Sequence, residues 1–289
     1  MGARVTVIGD LVEDVVVWTT AAIRNGTDNP ASITRLRGGS GANVAAAAAR
    51  AGIATRFIGC VGADDSGASL QAALMAEGVD TRLQHGGRTG CVVVLVGADG
   101  ERTMFPDRAA AAELGPIAAG DLAGTTVLHL PLYGFLDPAA AGHLADAAAW
   151  VRAAGGVVTI DLSASSAVDA LGVGTVHALI DELGPGVVFA NREEAAAARL
   201  ATIEPPSAGC FVVKAGAEPA TVVHPGGRRD VVAAVPVAAV LDTTGAGDVF
   251  AGTFIARWAD GAAPAEACAA GHLAAAATLG TAGATTTSP

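Results

Sequence analysis

The chain has 289 residues, 52% of them hydrophobic but only 4% aromatic, and a formal net charge of −11 at pH 7. That length can bury a large core, while the acidic balance, the scattered Arg and the lone lysine, Lys214, exclude a phosphate-binding surface for nucleic acid. No charge-free apolar stretch approaches the about 20 residues of a membrane span, and Cys60, Cys91, Cys210 and Cys268 lack CxxC spacing, so they read as reduced cysteines of a cytoplasmic protein.

Residues 4–8 form a short apolar run ending in Gly9 and Asp10, as expected of a strand whose C-terminal end carries ligands. Asp10, Glu13 and Asp14 follow at once, and three acids there make either a solvated loop or a set of acceptors for paired hydroxyls. Segments 15–18 and 32–36, separated by the turn-like 24–30, read as strands of a small separate sheet. Gly38-Gly39-Ser40-Gly41-Ala42-Asn43 then leads into a helix over 45–51 that Gly52 closes, with Asn43 expected as its cap. A strand at 55–61 and a helix at 66–77 ending at Gly78 follow, and 89–96 with 101–105 make the clearest hairpin of the chain.

From residue 127 strands and helices alternate without interruption, the rhythm of a parallel sheet with right-handed crossovers. Strands are predicted at 127–130, 157–161, 187–190 and 210–216, a helix opened by Asp137 and Pro138 and closed by Gly155, and a last helix over 264–280. Asp161 ends its strand either as a cap or as a residue of the ligand edge. Asn191-Arg-Glu-Glu194 has the form of a helix start, with Asn as cap and two acids favoured by the dipole.

Residues 242–248, Asp-Thr-Thr-Gly-Ala-Gly-Asp, follow the apolar run 231–241 and open a segment, 249–258, with helical apolar spacing. The first amides of a helix have no intrahelical partner and share the positive end of the dipole, and Gly245 and Gly247 would let an anion approach them closely. Asp248 falls in the first turn, so one loop offers an anion hole and a base. The longer string DTTGAGDVFAGTF at 242–254, with GG-x-G-x-N-x-A at 38–45, resembles the two signatures of the PfkB, or ribokinase-like, family of sugar and nucleoside kinases.

The resemblance implies a three-layer α/β/α ribokinase-like fold with a mainly parallel central sheet. It implies one kinase domain over 1–289, with a small β-sheet lid from about 12–37 and 88–107. It implies an ATP-dependent kinase that transfers the γ-phosphoryl group to a hydroxymethyl of a small sugar or sugar acid, with Asp248 as base and the amides of Gly245, Ala246 and Gly247 as the anion hole. The acceptor would lie against Asp10, Asp14, Gly38, Gly39, Asn43 and Asp248, and the nucleotide against Asn191, Lys214, Gly216, Gly245, Gly247 and His272. Glu194 would hold Mg²⁺ through water, and Asp242, Thr244, Leu279, Ala282, Ala284 and Ser288 match a monovalent-cation site for K⁺. A homodimer joined through the lid is expected.

Three departures stand out. Ser40 and Val12 replace the Lys and Asn of ribokinases proper, which argues against D-ribose, and Pro219 replaces a Gly after the nucleotide-edge turn. The enzyme alternative is an adenosine-type nucleoside kinase; its base would need stacking aromatics, for which Trp18, Phe105, Tyr133 and Phe135 are the candidates. The non-enzyme alternative, a ligand-binding pseudokinase, conflicts with the presence of Asp248, Asn191 and Glu194. GAGD is not the GxGxxG of dinucleotide folds, and no GxxxxGK[ST] occurs.

Overall fold

The computed structural model describes residues 2, 4–97, 101–238, 240 and 243–279. In its first half β1 (Arg4–Ile8), β2 (Val12–Thr19), β3 (Ala31–Gly38), α1 (Ser40–Arg50), β4 (Ala54–Val61), α2 (Asp65–Ala76), β5 (Asp80–His85), β6 (Cys91–Val96) and β7 (Arg102–Asp107) succeed one another. The second half runs through α3 (Ala119–Leu122), β8 (Val127–Pro131), α4 (Pro138–Ala153), β9 (Val157–Asp161), α5 (Ser165–Leu171), α6 (Val173–Leu183) and β10 (Val187–Asn191). It ends with α7 (Arg192–Ala197), β11 (Cys210–Ala215), β12 (Glu218–Val223), β13 (Arg229–Val232), α8 (Ala246–Ala259) and α9 (Pro264–Thr278).

Nine strands form one sheet in the order β13-β12-β11-β10-β9-β8-β1-β4-β5. From β11 to β5 every pairing is parallel, and only β12 and β13 run antiparallel at one edge. Its inner strands are buried on both faces, which is why they read as continuous apolar runs. In β10, Val187 and Phe189 enter one core with α1, α8 and α9, whereas Val188 and Ala190 enter the other with α4 and α6. That is the three-layer ribokinase-like arrangement.

The chain leaves β1 for β4 on one side and later returns to β8 on the other. The strand order therefore reverses beside β1, where open α/β sheets form their ligand crevice. A second sheet, β3-β2-β6-β7, is built from the strands that interrupt the α/β alternation, and Gly38 at its inner end runs directly into the start of α1.

Six elements, β5, α3, α5, α6, β12 and β13, are not among those expected from the sequence. β5 is polar (Asp-Thr-Arg-Leu-Gln-His) because it pairs on one side only; α5 and α6 meet at Gly172, and α6 carries buried Val176, Ile180 and Leu183 at helical spacing, a pattern that could have been read. β12 contains Pro219, a residue that argues against strand. Among the described residues no helix is long and apolar enough to cross a membrane.

Candidate active site

Two helix N-termini meet beside the end of β1. Helix α8 begins at Ala246 behind Gly245, whose left-handed φ of 73° makes the turn, and no side chain caps it. The amide of Ala246 donates to the Thr243 carbonyl at 3.2 Å, so one of the three expected anion-hole amides already has a partner in the loop. Helix α1 begins at Ser40 behind Gly39, which takes φ of 98°. The two helices pack closely: a Cβ on Gly252 would lie 2.4 Å from the Val44 carbonyl oxygen and 2.7 Å from Ala47 Cβ.

This contact delivers both first turns to one carboxylate. Asp248 Oδ1 accepts from Ser40 Oγ at 2.8 Å, and Oδ2 accepts from Asn43 Nδ2 at 3.0 Å. Burial pushes the Asp248 carboxyl up to about 6, with Asp161 adding to the rise, while the two hydrogen bonds and Lys214 oppose it. Asn43 is therefore not the cap that its position suggested. Helix α1 starts three residues earlier, and the Asn43 side chain bridges Asp248 and Arg37, whose Nη1 donates to Asn43 Oδ1 at 2.9 Å.

The three N-terminal glycines serve the packing of the protein itself. A Cβ on Gly38 would fall 2.1 Å from Asp14 Oδ1, one on Gly39 would fall 2.2 Å from the Asp10 carbonyl, and one on Gly41 would fall 2.9 Å from Gly9 Cα. Asp14 is thus pressed against the Gly-rich turn. Burial and then Asp248 raise its carboxyl to about 6, against the pull of Arg37. Asp10 is engaged differently, since Arg108 Nε and Nη2 donate to its two oxygens at 2.8 and 2.6 Å. Its first partner is an arginine.

Along the sheet edge, Lys214 at the end of β11 donates to Asp161 Oδ2, at the end of β9, at 2.8 Å. A Cβ on Gly247 would lie 3.4 Å from Lys214 Nζ, so the ammonium stands against the glycine loop. Burial works against its charge, yet Asp161 and then Glu194 outweigh it and its pKa ends above the ordinary lysine value. Asn191 and Glu194 form a capping box: Glu194 N donates to Asn191 Oδ1, while Asn191 N and Nδ2 donate to Glu194 Oε2 and Oε1 at 2.8 and 2.7 Å. Burial, then Asp161, raises Glu194 to about 7 although Lys214 opposes it.

The remaining expected residues separate. Gly216 takes φ of 62° in the turn between β11 and β12. His272 on α9 is buried, edge-on to Phe250 with ring centroids 5.1 Å apart, and its Nε2 has no partner. Thr244 Oγ1 accepts from Arg102 Nη1 at 2.5 Å, which ties β7 to the glycine loop. Leu279 follows α9 directly, whereas Asp242, Ala282, Ala284 and Ser288 lie outside the described residues.

Residues 3–289 match the model of the pfkB family carbohydrate kinases. The chain belongs to the PfkB family. An ATP-dependent ribose-1-phosphate kinase of Halopiger xanaduensis is 33% identical over 80% of this chain and 77% of its own. A fructokinase of Klebsiella pneumoniae is 30% identical over 89% of this chain and 84% of its own. The solved adenosine kinase of Sinorhizobium meliloti superposes with a TM-score of 0.86 at 26% identity, covering 98% of this chain and 96% of the other. Three acceptor classes among similar proteins mean that family membership identifies a phosphotransferase without choosing its acceptor.

For a PfkB kinase the edge beside Lys214 has the right donors for a nucleotide phosphate, a buried cation and a glycine helix start standing together. The same edge suits Mg²⁺. Asp161, Glu194 and Asp248 lie around one lysine, three acids to one cation, and Asp161 adds to the rise that burial causes in Glu194 and Asp248. Both Glu194 oxygens already accept from Asn191, and no cluster of three metal-ligating side chains occurs among the described residues. A Mg²⁺ that keeps its waters fits such a site better than one that needs a protein cage.

The sequence reading did not single out Arg37, Arg102 and Arg108, which bond to Asn43, Thr244 and Asp10 of the candidate site, and treated Ser40 only as a departure. Arg37 adjoins the glycine signature and could have been marked by that alone. Arg102 and Arg108 reach the site from the small sheet and its exit, a placement that only the fold provides.

Proposed function

We propose that this kinase transfers the γ-phosphoryl group of ATP to a hydroxymethyl group of a small sugar or sugar acid, with Asp248 as the general base. The observation that carries the reading is a buried carboxylate in the first turn of α8, held by donors from a second helix and facing a lysine at the glycine loop. With its pKa near 6, Asp248 is mostly ionised at neutral pH and still basic enough to take a proton from the attacking hydroxyl. The acceptor oxygen forms the new P–O bond as the bond from the γ-phosphorus to the bridging oxygen breaks, and the hydroxyl proton moves to Asp248.

Lys214 and the α8 amides face the charge that develops on the phosphoryl oxygens. Mg²⁺, held through water by Glu194, supplies further charge neutralisation when bound, and K⁺ at the 242–244 loop is the second ion of this reading. The sheet β3-β2-β6-β7 acts as a lid that excludes water, and its Asp14 accepts hydroxyl donors of the acceptor.

Aromatic placement supports a sugar. Phe105 pairs with Val93 and through it with Val15, on the face of the small sheet opposite Asp14, and Phe135 is buried in the core. Trp18 lies four residues from Asp14 along the same face, leaving Tyr133 as the aromatic close enough to feel Asp248 and Asp10. The likeness to an adenosine kinase favours the second reading, a nucleoside acceptor. ADP release measured against pentoses, hexoses, sugar acids and nucleosides, with and without K⁺, separates the two. Absence of acceptor-dependent turnover across that panel would sink both.

A further inference from the structure

We propose that Arg37 is a positioning residue for the base: its guanidinium fixes the Asn43 amide in the one orientation that donates to Asp248. The inference rests on the reading of Asp248 as the base. Arg37 can only donate and an ionised Asp248 can only accept, so an amide between them must turn its oxygen to the arginine and its nitrogen to the carboxylate. Released from Arg37, the amide could rotate and set its oxygen against the carboxylate.

Arg37 pulls on Asp14, and beyond that its described side-chain hydrogen bond goes to Asn43 alone. It is 6% exposed, its Nη2 has no partner, and burial holds its pKa below the ordinary value despite nearby Glu77, Asp248 and Asp14. A half-satisfied buried guanidinium costs the fold more than an apolar side chain of similar size would. Arg37 is the penultimate residue of β3, just before the Gly-rich turn, so the amide is set from the small sheet and Asp248 is set from both helices.

The other charged groups that Asp248 feels are Asp161 from β9, Lys214 from β11, Asp14 from β2, Glu194 from α7 and Tyr133 after β8. None of them is a described hydrogen-bond partner of the Asn43 side chain, so a double-mutant cycle isolates the Arg37 route.

The test is a titration of Asp248 by ¹³C NMR on carboxyl-labelled aspartate, the signal assigned by its loss in Asp248→Asn, alongside the pH profile of kcat/KM. Arg37→Met should raise the Asp248 midpoint by about one pH unit, move the acid limb with it, and lower kcat/KM about tenfold at pH 5 but less than about twofold at pH 8.5. In an Asn43→Ala background the same substitution should move the midpoint by less than about half as much. An unchanged midpoint, or a shift of equal size in that background, would overturn the proposal, the second outcome meaning that Arg37 acts only as a charge through space. Should Arg37→Met fail to fold, Arg37→Lys, which keeps a donor, is compared with and without Asn43→Ala, and an undisturbed midpoint with intact Asn43 is expected; a midpoint that moves equally in both backgrounds overturns the proposal. Full turnover by Asp248→Asn would refute the base itself while leaving the titration readable.

Discussion

Asp248 is tuned by burial, and burial also works against the fold. Its carboxyl is raised from the ordinary 3.8 to about 6, so the folded chain holds that proton more tightly than the unfolded one. Its contribution therefore favours folding below about pH 4 and is lost as the pH rises through about 6. Asp248→Asn never develops the buried charge. We expect it to be more stable than the parent by on the order of 1–3 kcal/mol at pH 8, with the gap shrinking toward pH 4, while turnover falls roughly 10²–10⁴-fold and ADP still binds. Denaturant unfolding at the two pH values checks this, and a pH-independent gap would contradict it. Ser40→Ala removes one donor from the ionised form, so the acid limb of kcat/KM should move upward, by about half a unit or more. Sequence made Asp248 legible because the loop and the first turn are contiguous. Ser40 and Asn43 were visible only as motif letters, since a hydrogen bond across 208 residues has no local signal.

At the scale of elements, the sheet strands of the core were legible because burial on both faces leaves an unbroken apolar run, as in Val187–Asn191. The Gly closures of α1, α2 and α4 were legible too, because Gly52, Gly78 and Gly155 all take positive φ. The β5 edge was not, having no apolar run to read, whereas α6 went unread although its buried Val176, Ile180 and Leu183 recur at helical spacing. What the sequence conceals most is that α1 and α8 touch. Gly252 lies in the middle of α8, where a glycine reads as a weakness, yet its hydrogen is what fits against the Val44 carbonyl. Gly252→Ala should cost about 1–3 kcal/mol by overpacking against backbone that cannot swing away. It should also raise the acceptor KM, because the two first turns that hold Asp248 are set by that contact. A change within about 0.5 kcal/mol, with normal KM, would show that the helices adjust freely.

For the whole molecule, the small sheet presents two faces of different character. Asp14, Val12 and Val94 lie on the one turned to the large sheet and its site, and Val12 and Val94 are buried there. On the opposite face Ile33 is 62% exposed, Phe105 56% and Val93 36%, in rows that pairing continues through Val15, Val17 and Leu95. The charges nearest this patch are paired already, Arg35 with Glu13 on the adjoining strands and Arg88 with Asp107, so approach of a second apolar surface leaves neither ion without its partner. A patch of that kind would suit the homodimer expected from the family resemblance, with two small sheets packing face to face about 10 Å apart. Sedimentation at tens of micromolar should find a dimer, and Phe105→Glu, which buries an unpaired charge only in the dimer, should return a monomer that still folds. Because Phe105 points away from Asp14, that monomer should keep its acceptor specificity. A parent chain that sediments as a monomer would end the proposal, and a dimer indifferent to Phe105→Glu would move the interface elsewhere.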